Sequence, residues 1–340
     1  MAAGSRAAGR PVRAVAEGAG AGGPSATGAL VPGFAAMAAL ACGFAALTVM
    51  GERGMPAPGW LLVVGCWLAA WAAVEGIARM RPLGGLAERA LGLAAPLLFG
   101  ATLLFLWEAI TRGAEVPPVL LPPPSMIAAR AAASTDILWA DFRQTFLKAV
   151  LFGWVAGNGV AFLVALAVDR SDFLKRGLMP VGALISALPI IGIAPIMVMW
   201  FGFDWQSKAA VVVVMVFFPM LVNTVQGLQA ADRMQRDLMR TYAATHRQTL
   251  LKLRLPAAAP FIFNALKITS TLALIGAIVA EFFGTPTVGM GFRISTEVGR
   301  MNIDMVWAEI LVAALAGSGF YGLIALVERA VTFWTPSMRG

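Results

Sequence analysis

What most restricts this chain is a series of apolar stretches that are too long, and too nearly free of charge, for the core of a soluble domain. Residues 59–78 (GWLLVVGCWLAAWAAVEGIA), 146–168 (FLKAVLFGWVAGNGVAFLVALAV) and 305–327 (MVWAEILVAALAGSGFYGLIALV) are three of them. About 18 or more apolar residues wound as a helix are enough to cross the hydrocarbon of a bilayer. Only helices and closed barrels satisfy their own backbone groups there. A barrel would show short alternating segments, and this sequence has none. Charged residues make up 13% of the chain, about half of the roughly 25% usual in soluble domains. The sequence therefore predicts an all-α polytopic membrane protein.

Taken in order, the apolar runs predict about eight spans: 30–50, 59–78, 90–111, 146–168, 177–200, 208–228, 260–282 and 305–327. Residues 1–28 are rich in Ala and Gly with Arg6, Arg10 and Arg13; they cannot bury a core and predict a disordered basic tail. Residues 29–82 predict a two-helix hairpin, and 83–340 the main transmembrane domain with a polar loop at 229–258. Pro117, Pro118, Pro122, Pro123 and Pro124 are too dense for a helix interior and mark a loop. Pro180, Pro189 and Pro195 predict a kinked or broken fifth span.

A net charge of +8 would suggest nucleic acid in a soluble protein, but here the cations lie mostly in short loops beside apolar spans. No basic face interleaved with aromatics exists off the membrane, so nucleic-acid binding is excluded as a reading. With both termini inside, 17 Lys and Arg fall in inside segments and eight in outside segments or span edges, Lys267 lying within a span. That bias predicts cytoplasmic termini, a cytoplasmic 229–258 loop, and outside placement of 113–144 and 283–304. Cys42 and Cys66 both fall within apolar runs and read as small buried hydrophobes. One histidine, His246, gives no metal cluster.

The most sustained polar segment is DLMRTYAATHRQTLLKLRLPAAAP, from Asp237 to Pro260. Leu238, Tyr242, Leu250, Leu253 and Leu255 interleave with Arg240, Arg247, Lys252 and Arg254, a pattern suited to a short amphipathic element docking on a soluble partner. Taken alone, the same pattern also fits a basic loop that enforces topology and binds anionic lipid. The spacing is particular: an acidic residue (Asp237), a small one six places on (Ala243), and Leu255-Pro256 twelve and thirteen places after that. It resembles the EAA loop of ATP-binding-cassette (ABC) importer permeases of the nitrate/sulfonate/taurine type. Asp237 stands where Glu is usual, and Ala243 where Gly is usual. The resemblance extends over residues 90–335, through LPPPSMI, through the block from SALPIIGIAPIMVMWFGF to VVVVMVFFPMLVNTVQGL, and through VAEFFGTPTVGMGF.

That resemblance implies a six-span permease core plus two extra N-terminal spans in a bacterial inner membrane. It implies a homodimer with two ABC ATPase subunits and a periplasmic or lipid-tethered solute-binding protein, moving nitrate, sulfonates, taurine or small heterocycles. Contact with the ATPase would fall to Asp237, Arg240, Tyr242, Ala243, Ala244, Leu250, Leu255 and Pro256. Alanine at 243 predicts a near-helical backbone running on from Asp237 to Leu250, with Pro256 ending that approach and Pro260 opening the next helix. No Gly-x-x-x-x-Gly-Lys-Ser/Thr loop is present, so ATP and Mg are expected on the partner, with no catalytic or metal site and no cofactor on this chain. Pro189, Pro195, Asn223, Asn264, Thr269 and Ser270 are candidates for the translocation path, although such polar groups serve equally as interhelical hydrogen bonds. Glu75, Glu108, Lys267, Glu281, Glu309 and Glu328 lie mostly near span ends, where snorkelling keeps a charge near water. The alternative is an ion-coupled secondary transporter. It predicts an inverted repeat and charged pairs at mid-membrane, and the sequence shows neither.

Overall fold

The computed structural model describes residues 26–49, 55–79, 85–186, 189–284 and 287–334. All regular structure among them is helical, and seven helices are long and apolar enough to cross a membrane. The expected tail at 1–28 lies almost wholly outside the described residues. The chain falls into two compact units, 1–115 and 116–340.

Unit 1 holds α1 (Ala26–Val49), α2 (Ala57–Ala78) and α3 (Gly85–Gly113). Small residues, Ala39, Ala46, Ala70, Ala73 and Ala109, are buried in it beside Met55 and Val63 and let helix backbones approach in the absence of a hydrophobic drive from lipid. Cys42 and Cys66 are free thiols, one half-buried and one buried, within this packing. Helix α3, which the sequence places with the main domain from residue 83, falls in the same unit as the hairpin.

Unit 2 begins with α4 (Pro124–Ala133), started by Pro123 and Pro124 in the two positions where a missing N–H costs nothing. Helix α5 (Thr135–Phe142) then passes through a π-helical turn, Arg143–Val150, into α6 (Leu151–Arg170). The helix thus starts about eleven residues earlier than the apolar run at 146. Asp141, Gln144 and Thr145 interrupt the hydropathy, yet all three are buried and bonded. The fifth expected span is two shorter helices, α7 (Asp172–Ser186) and α8 (Ile190–Phe201), neither long enough to cross alone. Pro189 sits extended at the start of α8, as a residue fixed outside helical ψ must.

The centre of unit 2 is α9 (Trp205–Gln229), packed between α6 and α12 (Leu255–Glu281). Gly153 and Gly157 lie one turn apart where α6 crosses α9. A Cβ at Gly153 would stand 2.7 Å from the Ala209 carbonyl, and one at Gly157 would stand 2.4 Å from Val216. Two small residues four apart are what close helix contact in a membrane needs. Helix α12 offers α9 a stripe of the same kind, Ala258, Ala265, Ala273, Ala277 and Ala280, all fully buried. Helices α10 (Arg233–Thr241) and α11 (His246–Thr249) link α9 to α12, and α13 (Met290–Gly299) and α14 (Ile303–Val331) complete the unit.

Candidate functional site

The candidate coupling residues form a compact helical hairpin at one end of unit 2. Asp237 and Arg240 lie on α10, exposed and paired at 3.4 Å. An exposed pair of this kind contributes about 0–1 kcal/mol, so neither residue is there to hold the fold. Met234, Leu238 and Tyr242 recur at four-residue spacing along one face, and Tyr242 is 76% exposed. No residue of α10 is buried.

Ala243 overturns the near-helical expectation. Its φ is +49°, in the left-handed region. The Ala243 N–H donates to the Arg240 carbonyl (2.9 Å) and the Ala244 N–H to the Met239 carbonyl (2.9 Å). These are the paired 5→2 and 6→1 bonds of a Schellman ending, which needs a left-handed residue just past the helix. Alanine therefore does here what glycine does more cheaply. Thr245 at once starts α11: its hydroxyl accepts from the Gln248 N–H, and the Gln248 side chain accepts from the Thr245 N–H. One helix stop and one helix start thus meet at Ala243–Thr245.

Nor does Pro256 end the approach. From His246 to Glu281 the chain is one continuous helix through α11, a π-turn at Leu250–Arg254, and α12. The π-turn bonds the Leu255 N–H to the Leu250 carbonyl, five residues back. That wider turn comes just before the proline, whose ring and missing N–H disrupt the ordinary four-residue register. Leu250, Leu255 and Pro256 are half-buried along it. Arg254 ties this segment to its neighbours, donating from Nε to the Leu228 carbonyl (3.0 Å) and from Nη2 to Asp169 (2.5 Å).

The path candidates are less uniform. Thr269 is fully buried; its hydroxyl accepts from the Trp154 indole (3.0 Å) and donates to Asn158 (3.1 Å), an interhelical bond between α12 and α6. Ser270 is buried and donates to the Lys267 carbonyl. Asn223, half-buried, donates to the Pro219 carbonyl within α9, while Asn264 is exposed on α12. Pro195 lies inside α8, and Pro189 is the residue just before it.

At the opposite end of α12 lies a polar centre whose parts the sequence showed only singly. Glu281 accepts from the Thr145 hydroxyl (2.7 Å) and from the Gly291 N–H (2.7 Å). Thr145 in turn accepts from the Met290 N–H, and Asp141 accepts from the Gly289 N–H (2.6 Å) and from Arg293 (2.9 Å). Gly289 takes φ +142°, and a Cβ on Gly291 would lie 2.1 Å from the Ile278 carbonyl, so both glycines are required for the loop to wrap the carboxylate. Glu281, Glu309 and Glu328 are buried, which corrects the snorkelling expectation for these three. Lys267, at the middle of α12, and Glu328, near the end of α14, pair at 2.7 Å. Beside the centre, Asp204 starts α9. Partial desolvation would raise its carboxyl, but the Trp205 N–H, the Gln144 amide and the charges of Lys148 and Lys208 outweigh this and hold it below the usual carboxylate range.

Residues 150–333 match the model of the family described as "binding-protein-dependent transport system inner membrane component". A probable ABC transporter permease of Haemophilus influenzae is 30% identical over 220 residues, 65% of this chain and 89% of that protein. The formylaminopyrimidine transport permease of Halalkalibacterium halodurans is 30% identical over 239 residues (70% and 95%), and the riboflavin transport system permease of Chloroflexus aurantiacus 30% over 261 (76% and 96%). The family match takes in α6 to α14, with the hairpin at Ala243 and with Glu281 and its Gly289–Arg293 loop, though not Asp141 or Thr145, and so this chain belongs to the inner-membrane permeases of binding-protein-dependent ABC transporters.

Proposed function

We propose that the chain couples ATP hydrolysis by a separate ABC ATPase to import of a small solute, with α10, the Ala243 turn and α11 as the docking element. The observation that carries this is the hairpin itself. It presents Met234, Leu238 and Tyr242 to solvent beside Arg233, Arg236, Arg240 and Arg247, buries no residue of α10, and is closed by well-made helix ends. A loop that served only topology would need the charges but not the ordered apolar face. Helix-in-groove recognition needs both. In this reading the permease works as a homodimer with two ATPase subunits and a solute-binding protein, and ATP-driven closure of the ATPases alternates access across the membrane. Two relatives named for formylaminopyrimidine and riboflavin transport favour a small heterocyclic solute.

The reading requires the hairpin and both termini to be cytoplasmic. With Cys42 and Cys66 replaced, Arg247→Cys in intact cells should resist a membrane-impermeant maleimide and label fully once the membrane is opened. Efficient labelling from outside would exclude ATPase docking at this segment and leave the ion-coupled transporter in its place.

A further inference from the structure

We propose that Arg254 and Asp169 are a positioning pair that transmits movement of the α10–α11 hairpin to the cores of α6 and α9; this rests on the ATPase-docking reading above. Among the described residues, Arg254 makes the only side-chain hydrogen bonds by which the segment from 230 to 254 reaches any other element. Every other side-chain bond of that stretch, at Asp237, Arg240, Thr241, Thr245, Gln248 and Thr249, stays within it. A force applied at Tyr242 or Leu238 therefore meets one guanidinium as its lateral hydrogen-bonded link to neighbouring helices, beside the packing of Ala231, Leu250 and Leu253.

The geometry suits that task. Asp169 is the penultimate residue of α6 and Leu228 the penultimate residue of α9, so a single side chain holds two helix ends together. Arg254 and Asp169 are 15% and 5% exposed, which screens the pair little and keeps it in one geometry. Arg254 closes the π-turn, whose wider register places it before Pro256 at the start of α12. Lysine could supply the charge at this position but not the planar fork that serves a carboxylate and a carbonyl together. Helices α6, α9 and α12 are already joined along their lengths by small-residue contacts. A displacement entering through Arg254 is thereby carried to the far ends of all three, where Glu281, Thr145 and Asp204 sit.

The test uses the tagged, Cys-free chain purified with the ATPase that accompanies it, and Phe203→Cys as a reporter at the far end, where residue 203 is exposed. The maleimide labelling rate at 203 is compared with and without ATP and vanadate. In Arg254→Gln and in Asp169→Asn the nucleotide-dependent change in that rate should fall about tenfold, within the roughly 2- to 30-fold range typical of residues that carry coupling. ATPase co-purification and basal hydrolysis should persist. Arg254→Lys should restore part of the response, and so should the exchange of Arg254→Asp with Asp169→Arg. An undiminished response in both single variants, with the ATPase bound, would overturn the positioning role. Loss of ATPase binding in both variants would also overturn it, making the pair part of the docking surface. Failure of the unsubstituted chain to retain any ATPase would instead remove the docking reading itself.

Discussion

Glu281→Ala is expected to destabilise the permease by about 3–5 kcal/mol, the range for removing one partner from a buried charged network. Two donors would lose their acceptor, the Thr145 hydroxyl and the Gly291 N–H, in a site with no water access through the side chain, which is 3% exposed overall. Each buried donor left unsatisfied costs about 1–3 kcal/mol. Lys208, also buried and within reach of the Glu281 charge, would lose a counter-ion while keeping its bond to the Phe203 carbonyl. Glu281→Gln keeps one good acceptor and the side-chain volume, so its cost should fall to about 1–2 kcal/mol. Glu309 gives the contrast. It is as buried as Glu281, but no group among the described residues donates to either oxygen, and Glu309→Gln should change stability by less than about 1 kcal/mol. Denaturant unfolding in detergent checks all three. Equal losses at 281 and 309 would show that burial, not the hydrogen-bonded centre, sets the cost.

The second large effect is expected at Ala243. Proline fixes φ near −65°, and the chain requires +49° there. Ala243→Pro also removes the N–H that donates to Arg240, one of the two bonds ending α10. A misplaced proline costs about 3 kcal/mol, and at about 1.4 kcal/mol per tenfold this amounts to roughly 100-fold in ATPase association. Because α10 buries no residue, the loss should appear in association and not in the melting of the membrane bundle. Ala243→Gly should move the other way. Alanine in the left-handed region gives up about 1–2 kcal/mol and glycine returns about 0.5–1 kcal/mol as chain entropy, for a small net gain. Titration of ATPase binding to the reconstituted permease orders the series as Gly at or above Ala, with Pro far below. Equal binding by the proline variant would show that the turn at 243 does not shape the docking surface.

Apolar span length carried most of the fold, because the lipid requirement is met one helix at a time and is written locally. What escaped the sequence was non-local. The sequence put Asp141 in the outside segment 113–144 and began the next span just past Thr145, yet their partners are 136 to 152 residues away, on α12, on α13 and at the start of α13. Hydropathy counted them against a helix that in fact continues through them. Arg254 likewise read as one more cytoplasmic cation, since nothing near it in the chain points to Asp169. The polar segment from Asp237 stood out in the sequence, but the backbone at Ala243 was misread. Alanine's own preference argued for a helix. Two closing hydrogen bonds and the cap at Thr245 override that preference, and only the folded hairpin shows them. The prolines gave a mixed result for a related reason. Pro189 lies where the fifth span breaks, as expected of its prolines, whereas Pro256 lies inside a helix, with a π-turn just before it.

The central claim is that the exposed face of α10 and the Ala243 turn meets an ATPase. Its most direct test is a photo-crosslinking residue placed at Tyr242, 76% exposed, with a second at Leu104 on α3 as the membrane-facing control. In native membranes position 242 should form one predominant adduct, and mass spectrometry of that adduct should identify a protein carrying a phosphate-binding Gly-x-x-x-x-Gly-Lys-Ser/Thr loop. Leu104 should give no such adduct. Adducts at 242 confined to lipid, or an ATPase adduct at 104 with none at 242, would contradict the account.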